Sequence, residues 1–400
     1  MNSIPSIAKP SMAVLVAMLV LASLSEAIYT PAFTSISQEL GITPHNVQLT
    51  TTAYLLAFAI GQFIFGVLAD RYGRRKLYLS GIIIFILGTI YGSFAHDLDS
   101  LMLARICQGI GGCAGAVLVR TIFIDAMDER GRKLHFPILM GINALAPLMG
   151  PVIGGFIVSG FGWRAIFYFL NIISVIVFCV ALRYLHETLA IENRQSLNLK
   201  KIKSHFMATL TNQCFIRHAI VGSILLGVSF VYALTAPFLI MTQLHFSTLH
   251  FSYLLLVTAG AYIIGSLCSA KIALHFTQPT VILMGTLLCL VCSVIMLIWN
   301  LVAPLSIYSL LIPMMGIAFG VAVAKAHSMI AALRPFTVGI AFSSAILGGV
   351  QVGLAGLMTV IIRFFDLYSA VPMAAYFVIA IIVALWVYIP QWRKPASSMT

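Results

Sequence analysis

Charged side chains are scarce in this chain of 400 residues, since only 8% of them are Asp, Glu, Lys or Arg. Soluble globular chains carry about a quarter. A chain so poor in charge cannot cover a water-exposed surface with polar groups, which excludes a soluble globular domain. Hydrophobic residues make up 61% of the sequence, so the solvent that it is suited to is lipid.

Acidic residues are the scarcest charged type, because 11 Asp and Glu stand against 23 Lys and Arg, for a net charge of +12. In a soluble protein this excess would suggest a nucleic acid partner. Here the basic residues flank apolar segments, which is the pattern that sets the orientation of a membrane protein. We therefore expect contact with anionic lipid in a bilayer and no nucleic acid partner.

The chain also lacks the motifs of cofactor and metal chemistry. It has no glycine-rich nucleotide-binding loop with a lysine, so we expect no use of ATP, and nothing indicates an enzyme. Cys289 and Cys292 are spaced like a redox or metal pair, but no His or Asp lies beside them, and we interpret them as packing residues. The seven cysteines form no disulfide framework. We expect no cofactor, no metal, and a proton gradient as the energy source.

Twelve apolar segments are long enough to cross a bilayer, whose core needs about 20 residues of helix. The first is interpreted as an uncleaved span and not a signal peptide, because its apolar run continues to Phe33. An even number of spans places both termini on one side of the membrane. The predicted spans are residues 11–33, 46–68, 77–95, 100–123, 136–158, 165–185, 218–241, 251–273, 280–299, 304–328, 338–362 and 370–390.

One long polar segment, residues 187–217, divides the spans into two blocks of six. This predicts a first lobe at 1–186, a linker at 187–217 and a second lobe at 218–400. The side that holds the termini and the linker collects 18 of the 23 basic residues, against Arg164 and Arg363 on the other side. By the positive-inside rule, both termini and the linker are predicted to be cytoplasmic.

The two blocks share a weak internal repeat at an offset of 199 residues. Gly61 and Gly66 recur as Gly260 and Gly265, and Gly150 recurs as Gly349 with Ala146 and Ala345 before them. A repeat of half the chain is typical of a two-lobed transporter that holds its substrate between the lobes. Chance recurrence in a glycine-rich membrane protein remains an equal alternative for these pairs.

Three motifs carry a resemblance to a known family. They are "GVLADRYGRRK" at residues 66–76, "RICQGIGG" at 105–112 and "APLMGPVIGG" at 146–155. With them the chain resembles the major facilitator superfamily over nearly its whole length. The segments "IYTPAF" at 28–33, "GWRAIFYFLNI" at 162–172, "TAPFLI" at 235–240 and "GGVQVGLAG" at 348–356 resemble its drug:proton antiporters of the bicyclomycin/chloramphenicol-resistance (Bcr/CflA) kind.

This resemblance implies an all-α polytopic fold, with twelve transmembrane helices in two pseudo-repeated lobes of six. It also implies alternating access and multidrug efflux, that is, export of small drug-like molecules or metabolites against protons. The expected location is a bacterial inner (cytoplasmic) membrane, the expected phenotype is antibiotic resistance, and the expected functional unit is a monomer.

The first motif is predicted to be a gate on the cytoplasmic side. Its glycines permit a tight turn and close helix contact, and Asp70 can accept hydrogen bonds from helix N-terminal amides or from arginines across the lobe interface. A plain positive-inside anchor is the alternative, although it needs neither Asp70 nor the glycines. The predicted gate residues are Gly66, Asp70, Arg71, Gly73, Arg74 and Arg75.

The motif in the fifth span is predicted to be a hinge. Pro151 removes a backbone donor, and Gly150, Gly154 and Gly155 give a smooth packing face. The resemblance implies that this face packs against a helix of the second lobe. Ordinary packing of small residues is the alternative.

Ionisable residues inside spans are expensive and usually functional. Glu26 is the single acid well inside a span, with Tyr29 one turn further on the same face, and it is the candidate proton carrier. A fixed ion pair with an arginine is the alternative for Glu26. The resemblance makes Arg105, with Gln108 of the same motif, a candidate for proton coupling.

Two more cations lie in spans. Arg120 and Lys325 either face the substrate cavity or extend to the membrane interface. Three cavity cations against one acid would suit an anionic siderophore or metabolite, which is the alternative to drug-like cargo on the same fold. A receptor without transport is a further alternative, against which the intact gate motif argues.

Overall fold

The computed structural model describes residues 11–127, 149–189, 199–336, 340–364 and 369–392, together with positions 135, 139, 142 and 194. Within these residues every regular element is helical. Eleven helices are long and apolar enough to cross a membrane, and Met149–Phe161 is a shorter apolar helix. The predicted all-α fold with twelve transmembrane helices is confirmed.

The described part of the chain forms fourteen α-helices, of which α8 lies in the linker. Short 3-10 turns at Thr30–Ala32 and Ile361–Phe364 and a π-helical turn at Phe238–Gln243 extend α1, α13 and α9. The helices are α1 (Met12–Ala27), α2 (Phe33–Leu40), α3 (Pro44–Tyr72), α4 (Arg74–Ser93), α5 (Leu98–Ala126), α6 (Met149–Phe161), α7 (Arg164–Tyr184), α8 (Leu199–Thr211), α9 (Gln213–Pro237), α10 (Thr248–His275), α11 (Gln278–Val302), α12 (Ile307–Leu333), α13 (Ile340–Val360) and α14 (Ala370–Trp392).

Most predicted spans agree with these helices to within a few residues. The first span does not end near residue 33. It continues through the turn at Thr30–Ala32, which contains Pro31, and ends at Leu40. Glu26 therefore lies near the middle of a 29-residue span and not close to its end. The predicted fifth span, 136–158, is described continuously only from Met149, so Ala146 lies outside the described residues.

Local sequence explains where the long helices begin. The Thr43 hydroxyl accepts from the amide of Asn46, and Pro44 at the first helical position fits the start of α3. Gly73, with a φ of 91°, ends α3 and starts α4 through a conformation that favours glycine. Asp97 and Ser100 form a reciprocal capping box at the start of α5.

The two lobes have different cores. One cluster of buried residues lies wholly within the first lobe, from Val14 to Leu185. The other joins the second lobe to first-lobe residues such as Tyr29, Phe33 and Trp163. The helices α3 and α13 run along each other between the lobes, where Gly349 packs against the ring of Phe63.

The two ends of the helix bundle carry different charged residues. The basic side is the side at which α1 begins, and it carries residues 71–76 and α8. The opposite side carries an ion pair between Glu39 and Arg164. The predicted linker contains α8, whose Phe206 packs against Phe63 of α3 at a ring separation of 5.6 Å. The domain boundaries at 186 and 218 stay predictions, with α7 ending at Tyr184 and α9 beginning at Gln213.

Candidate functional site

A buried guanidinium lies inside the first lobe. Arg105 in α5 is fully buried, and its guanidinium carbon is 4.3 Å from the ring centroids of both Tyr29 and Tyr54. Two aromatic faces therefore stabilise the charge by cation–π contact, which is strongest where water is excluded. The two tyrosines come from different spans, so this cage ties the first span and α3 to α5.

A hydrogen-bonded chain holds one edge of the same guanidinium. Nη1 of Arg105 donates to Oε1 of Gln108 at 2.9 Å, and Nε2 of Gln108 donates to the Thr89 hydroxyl at 3.0 Å. Nε and Nη2 of Arg105 are buried without a hydrogen-bond partner among the described residues. The arginine is therefore held on one edge and retains two donors for a group that enters or moves.

Glycines bring the helices close enough to build this cage. A Cβ at Gly109 would collide with the backbone carbonyl of Tyr54, and one at Gly111 would collide with the backbone of α4 at Phe85. Small residues at a helix interface permit this backbone approach inside a membrane. The glycines of the "RICQGIGG" motif therefore determine where Tyr54 lies relative to Arg105.

Glu26 points from the first lobe towards the second. Its neighbour Ser25 bonds the Tyr54 hydroxyl in α3 at 3.0 Å, and its other neighbour Ala27 packs against Gly150 in α6. Successive helical residues are about 100° apart, so Glu26 faces the gap between α3 and α6. Glu26 is partly buried. No ion pair within 4.0 Å joins it to Arg105 or Lys325 in the described part of the chain.

Lys325 points from the second lobe towards the first. On α12, Ser328 donates to the His218 carbonyl in α9, and Ala322 packs against Gly265 in α10. Lys325 lies between these two directions on the helix, at about 60° from each. It therefore faces the opening between α9 and α10, with Glu26 facing it from the other lobe.

Arg120 lies further along α5 towards the basic side. Fifteen residues separate it from Arg105, which places the two on the same side of the helix, about 60° apart. Its Nε is buried without a hydrogen-bond partner among the described residues. Both interpretations of Arg120, a cation of the cavity and a cation that extends to the interface, stay predictions.

The predicted gate residues are brought together, but within one lobe. Asp70 pairs with Arg74 at 2.9 Å, and Arg74 also pairs with Asp125 at the end of α5 at 3.1 Å. The backbone amide of Arg74, at the start of α4, donates to the Glu187 carboxylate at 2.8 Å. The amide-accepting role expected of Asp70 thus belongs to Glu187, because Gly73 turns the start of α4 towards the segment after α7.

The other gate residues also have first-lobe contacts, with one exception. Arg75 donates to the Leu182 carbonyl in α7 at 2.8 Å, and Arg71 lies over the ring of Tyr72 at 5.3 Å. Gly66 faces the second lobe, where a Cβ would meet Ala345 in α13 at 3.3 Å. The expected arginine contact of Asp70 across the lobes is absent from the described residues in this conformation.

The fifth-span motif packs differently from the expectation. Gly150 and Gly154 face the end of α1 at Ala27 and Ile28, within the first lobe. Only Gly155 faces the second lobe, where it packs against Ser252 in α10. Pro151 lies between Gly150 and Gly154 in α6. Helical spacing explains this difference from the expectation. Gly150 and Gly154 are four residues apart and share one face of α6, whereas Gly155 lies on another face.

Direct hydrogen bonds join the two lobes on the opposite side of the molecule. Nε2 of Gln48 donates to the Leu234 carbonyl at 2.8 Å. The hydroxyls of Thr52 and Thr359 bond each other at 2.7 Å. Both bonds link α3 to the second lobe, so they hold the lobes together on this side in the described part of the chain.

Sequence reasoning missed several partners of the predicted residues. Tyr54 and Thr89 give no signal, because tyrosine and threonine are ordinary in apolar spans. Asp125 and Glu187 did carry one, since each is an acid at the end of a span on the basic side, opposite the arginines of residues 71–76.

Comparison with known proteins shows which family this chain is similar to. The model of the Major Facilitator Superfamily matches residues 15–356. A chloramphenicol resistance protein of Pseudomonas aeruginosa is 30% identical, over 89% of this chain and 84% of its own length. Multidrug resistance protein D of Escherichia coli K12 is 27% identical, over 84% of each chain.

Solved structures show the same fold. The crystal structure of a D-xylose–proton symporter superposes with a TM-score of 0.78 at 13% identity, covering 97% of this chain and 98% of the other. At this identity the likeness concerns the fold alone. The resemblance inferred from the loop, fourth-span and fifth-span motifs is confirmed, and the chain belongs to the Major Facilitator Superfamily.

Proposed function

We propose that the chain exports small drug-like molecules across a bacterial inner membrane in exchange for protons, by alternating access and without a cofactor. The observation that carries the proposal is Glu26, an acid at the middle of the first span that faces the second lobe across the interior. The names of the relatives, a chloramphenicol resistance protein and multidrug resistance protein D, support drugs as cargo. They favour drugs over an anionic siderophore or metabolite.

Glu26 is the proton carrier in this proposal. A carboxylate in the membrane interior is stabilised by nearby cations and destabilised by loss of water. Arg105 and Lys325 provide the stabilising charges. Because neither cation is bonded to Glu26 directly, the carboxyl can take up a proton without breaking an ion pair.

Arg105 is the second part of the coupling device. Its two unpartnered donors face a low-dielectric interior, where an unpaired donor is costly. They can bond the ionised carboxylate or a polar group of the drug, and such bonds strengthen where water is absent. Binding of the drug and binding of a proton then depend on the same groups, Arg105 and Glu26. Competition between the two is the condition for exchange.

The basic side is proposed to face the cytoplasm, with both termini there. The positive-inside rule supports this orientation. The hydrogen bonds between the lobes on the opposite side support a state whose interior is reached from the cytoplasm. The pairs of Arg74 with Asp70 and Asp125 keep the gate motif inside the first lobe in this state. We propose that they rearrange when the basic side closes, with a single chain as the functional unit.

Transport of chloramphenicol by inverted membrane vesicles under an imposed pH gradient tests the proposal. Wild type is expected to accumulate the drug when the lumen is acidic and to stop when the gradient is dissipated. Glu26→Gln should lose the dependence on the gradient. The matched control is Glu39→Gln, which changes the other acid of the same span, on the opposite side beside Arg164.

Two outcomes would contradict the proposal. Gradient-driven accumulation that persists in Glu26→Gln would remove the proton role of Glu26. Equal loss in Glu39→Gln would show that any change of acid in the span is harmful, so that Glu26 carries no special role.

A further inference from the structure

The interior of the protein has an excess of positive charge. Among the described residues inside the spans, Arg105, Arg120 and Lys325 carry positive charge and Glu26 is the one acid away from the helix ends. Asp125, in the last turn of α5, forms an ion pair with Arg74. The charges of these described residues therefore sum to a positive value whether Glu26 is ionised or protonated.

Among the described residues, no acid forms an ion pair with these three cations. Arg105 is stabilised by two tyrosine rings and by Gln108, which leave its charge in place. Arg120 has no ion pair within 4.0 Å and a buried, unpartnered Nε in the described part of the chain. Both arginines belong to the first lobe.

Lys325 is the contribution of the second lobe. It lies eight residues before the end of α12. Its face of the helix lies between Ser328, which contacts His218 in α9, and Ala322, which contacts Gly265 in α10. Lys325 is partly exposed, unlike the fully buried Arg105. Of the three cations, Lys325 is therefore the one through which the second lobe acts on a bound molecule.

We propose that Lys325 is a specificity-determining residue that makes the cavity select uncharged drugs and reject cationic ones. The inference rests on the proposed export of drugs and names the charge class of the cargo. A drug cation near Lys325 is repelled by its charge, and this repulsion is stronger inside the protein than in bulk water, whereas an uncharged drug is not repelled. Specificity of this kind comes from a repulsive element and not from an added contact.

The test compares two probes in proteoliposomes, chloramphenicol as the uncharged drug and ethidium as the lipophilic cation. Wild type should transport chloramphenicol and little ethidium. In Lys325→Met, which keeps the length of the side chain and removes its charge, the ratio of ethidium to chloramphenicol transport should rise by roughly tenfold or more. Lys325→Arg should retain the wild-type ratio.

The matched control is Lys271→Met, which removes an exposed lysine near the end of α10 in the same lobe. It should leave the ratio unchanged, because its charge lies outside the cavity. A rise of the same size in Lys271→Met would assign the effect to surface charge and overturn the proposal.

Binding to wild type provides a second measurement that needs no variant. Fluorescence titration gives the Kd of ethidium, and displacement of bound ethidium gives the Kd of chloramphenicol. The Kd of ethidium should be at least roughly tenfold higher than that of chloramphenicol. Equal transport of ethidium by wild type and an unchanged ratio in Lys325→Met would overturn the specificity role and leave drug export standing. Transport of neither probe by wild type would instead contradict export itself, and the inference with it.

Discussion

The hydroxyl pair Thr52–Thr359 gives a direct prediction about how firmly the opposite side is closed. It is the shortest hydroxyl bond described between the lobes, at 2.7 Å, and both side chains are buried. Each hydroxyl also lies within hydrogen-bond distance of a carbonyl of its own helix, at Gln48 or Gly356. Replacing one threonine by valine therefore removes the bond between the lobes without leaving the other hydroxyl unpaired.

The size of the effect follows from the bond that is lost. A buried neutral hydrogen bond contributes about 1 kcal/mol net, which corresponds to a factor of about five in an equilibrium constant. Thr52→Val should make opening of this side about fivefold more frequent, and so should Thr359→Val. The double variant should also show about fivefold, because the same bond is lost only once.

The assay uses a thiol introduced between the lobes. Leu55 is buried beside Gly356 at this contact, so Leu55→Cys reacts with N-ethylmaleimide only when the lobes separate there. The parent chain, with its seven native cysteines, gives the background rate. A labelling rate that does not change in either single variant, or that rises about 25-fold in the double variant, would refute a shared bond.

Two further predictions concern the Arg105 cage. Arg105→Lys keeps the charge but loses the planar stacking on Tyr29 and Tyr54, so we expect about 2 kcal/mol less stability; an unchanged thermal midpoint in detergent would contradict the cage. Gly109→Ala should cost about 1–3 kcal/mol, because its Cβ meets the Tyr54 carbonyl, whereas Gly112→Ala, with its nearest atom at 3.5 Å, should be tolerated; equal destabilisation of the two would contradict this difference.

The spans could be predicted because bilayer thickness sets a minimum length of apolar sequence. The same rule could not find the true end of the first span. Residues 34–40 are largely polar, so hydropathy ends at Phe33, while the helix resumes after Pro31 and continues to Leu40. Helical structure outside the apolar core leaves no hydropathy signal.

The candidate site was predictable in its charges and not in their partners. Glu26 and Arg105 are conspicuous because ionisable residues are rare in spans. Their environment depends on Tyr54, which comes from another helix and is brought near by the backbone approach at Gly109. Likewise, the sequence shows acids near Arg74, but only the fold shows that Glu187 accepts from its amide.

Proton movement caused by the drug tests the central claim most directly. Proteoliposomes containing the purified protein and a pH-sensitive dye in the lumen are given chloramphenicol on one side, with no imposed pH gradient. Exchange predicts that wild type moves protons in the direction opposite to the drug and that Glu26→Gln moves the drug, if at all, without protons. Drug movement by wild type with no change in lumenal pH would contradict the proposed exchange.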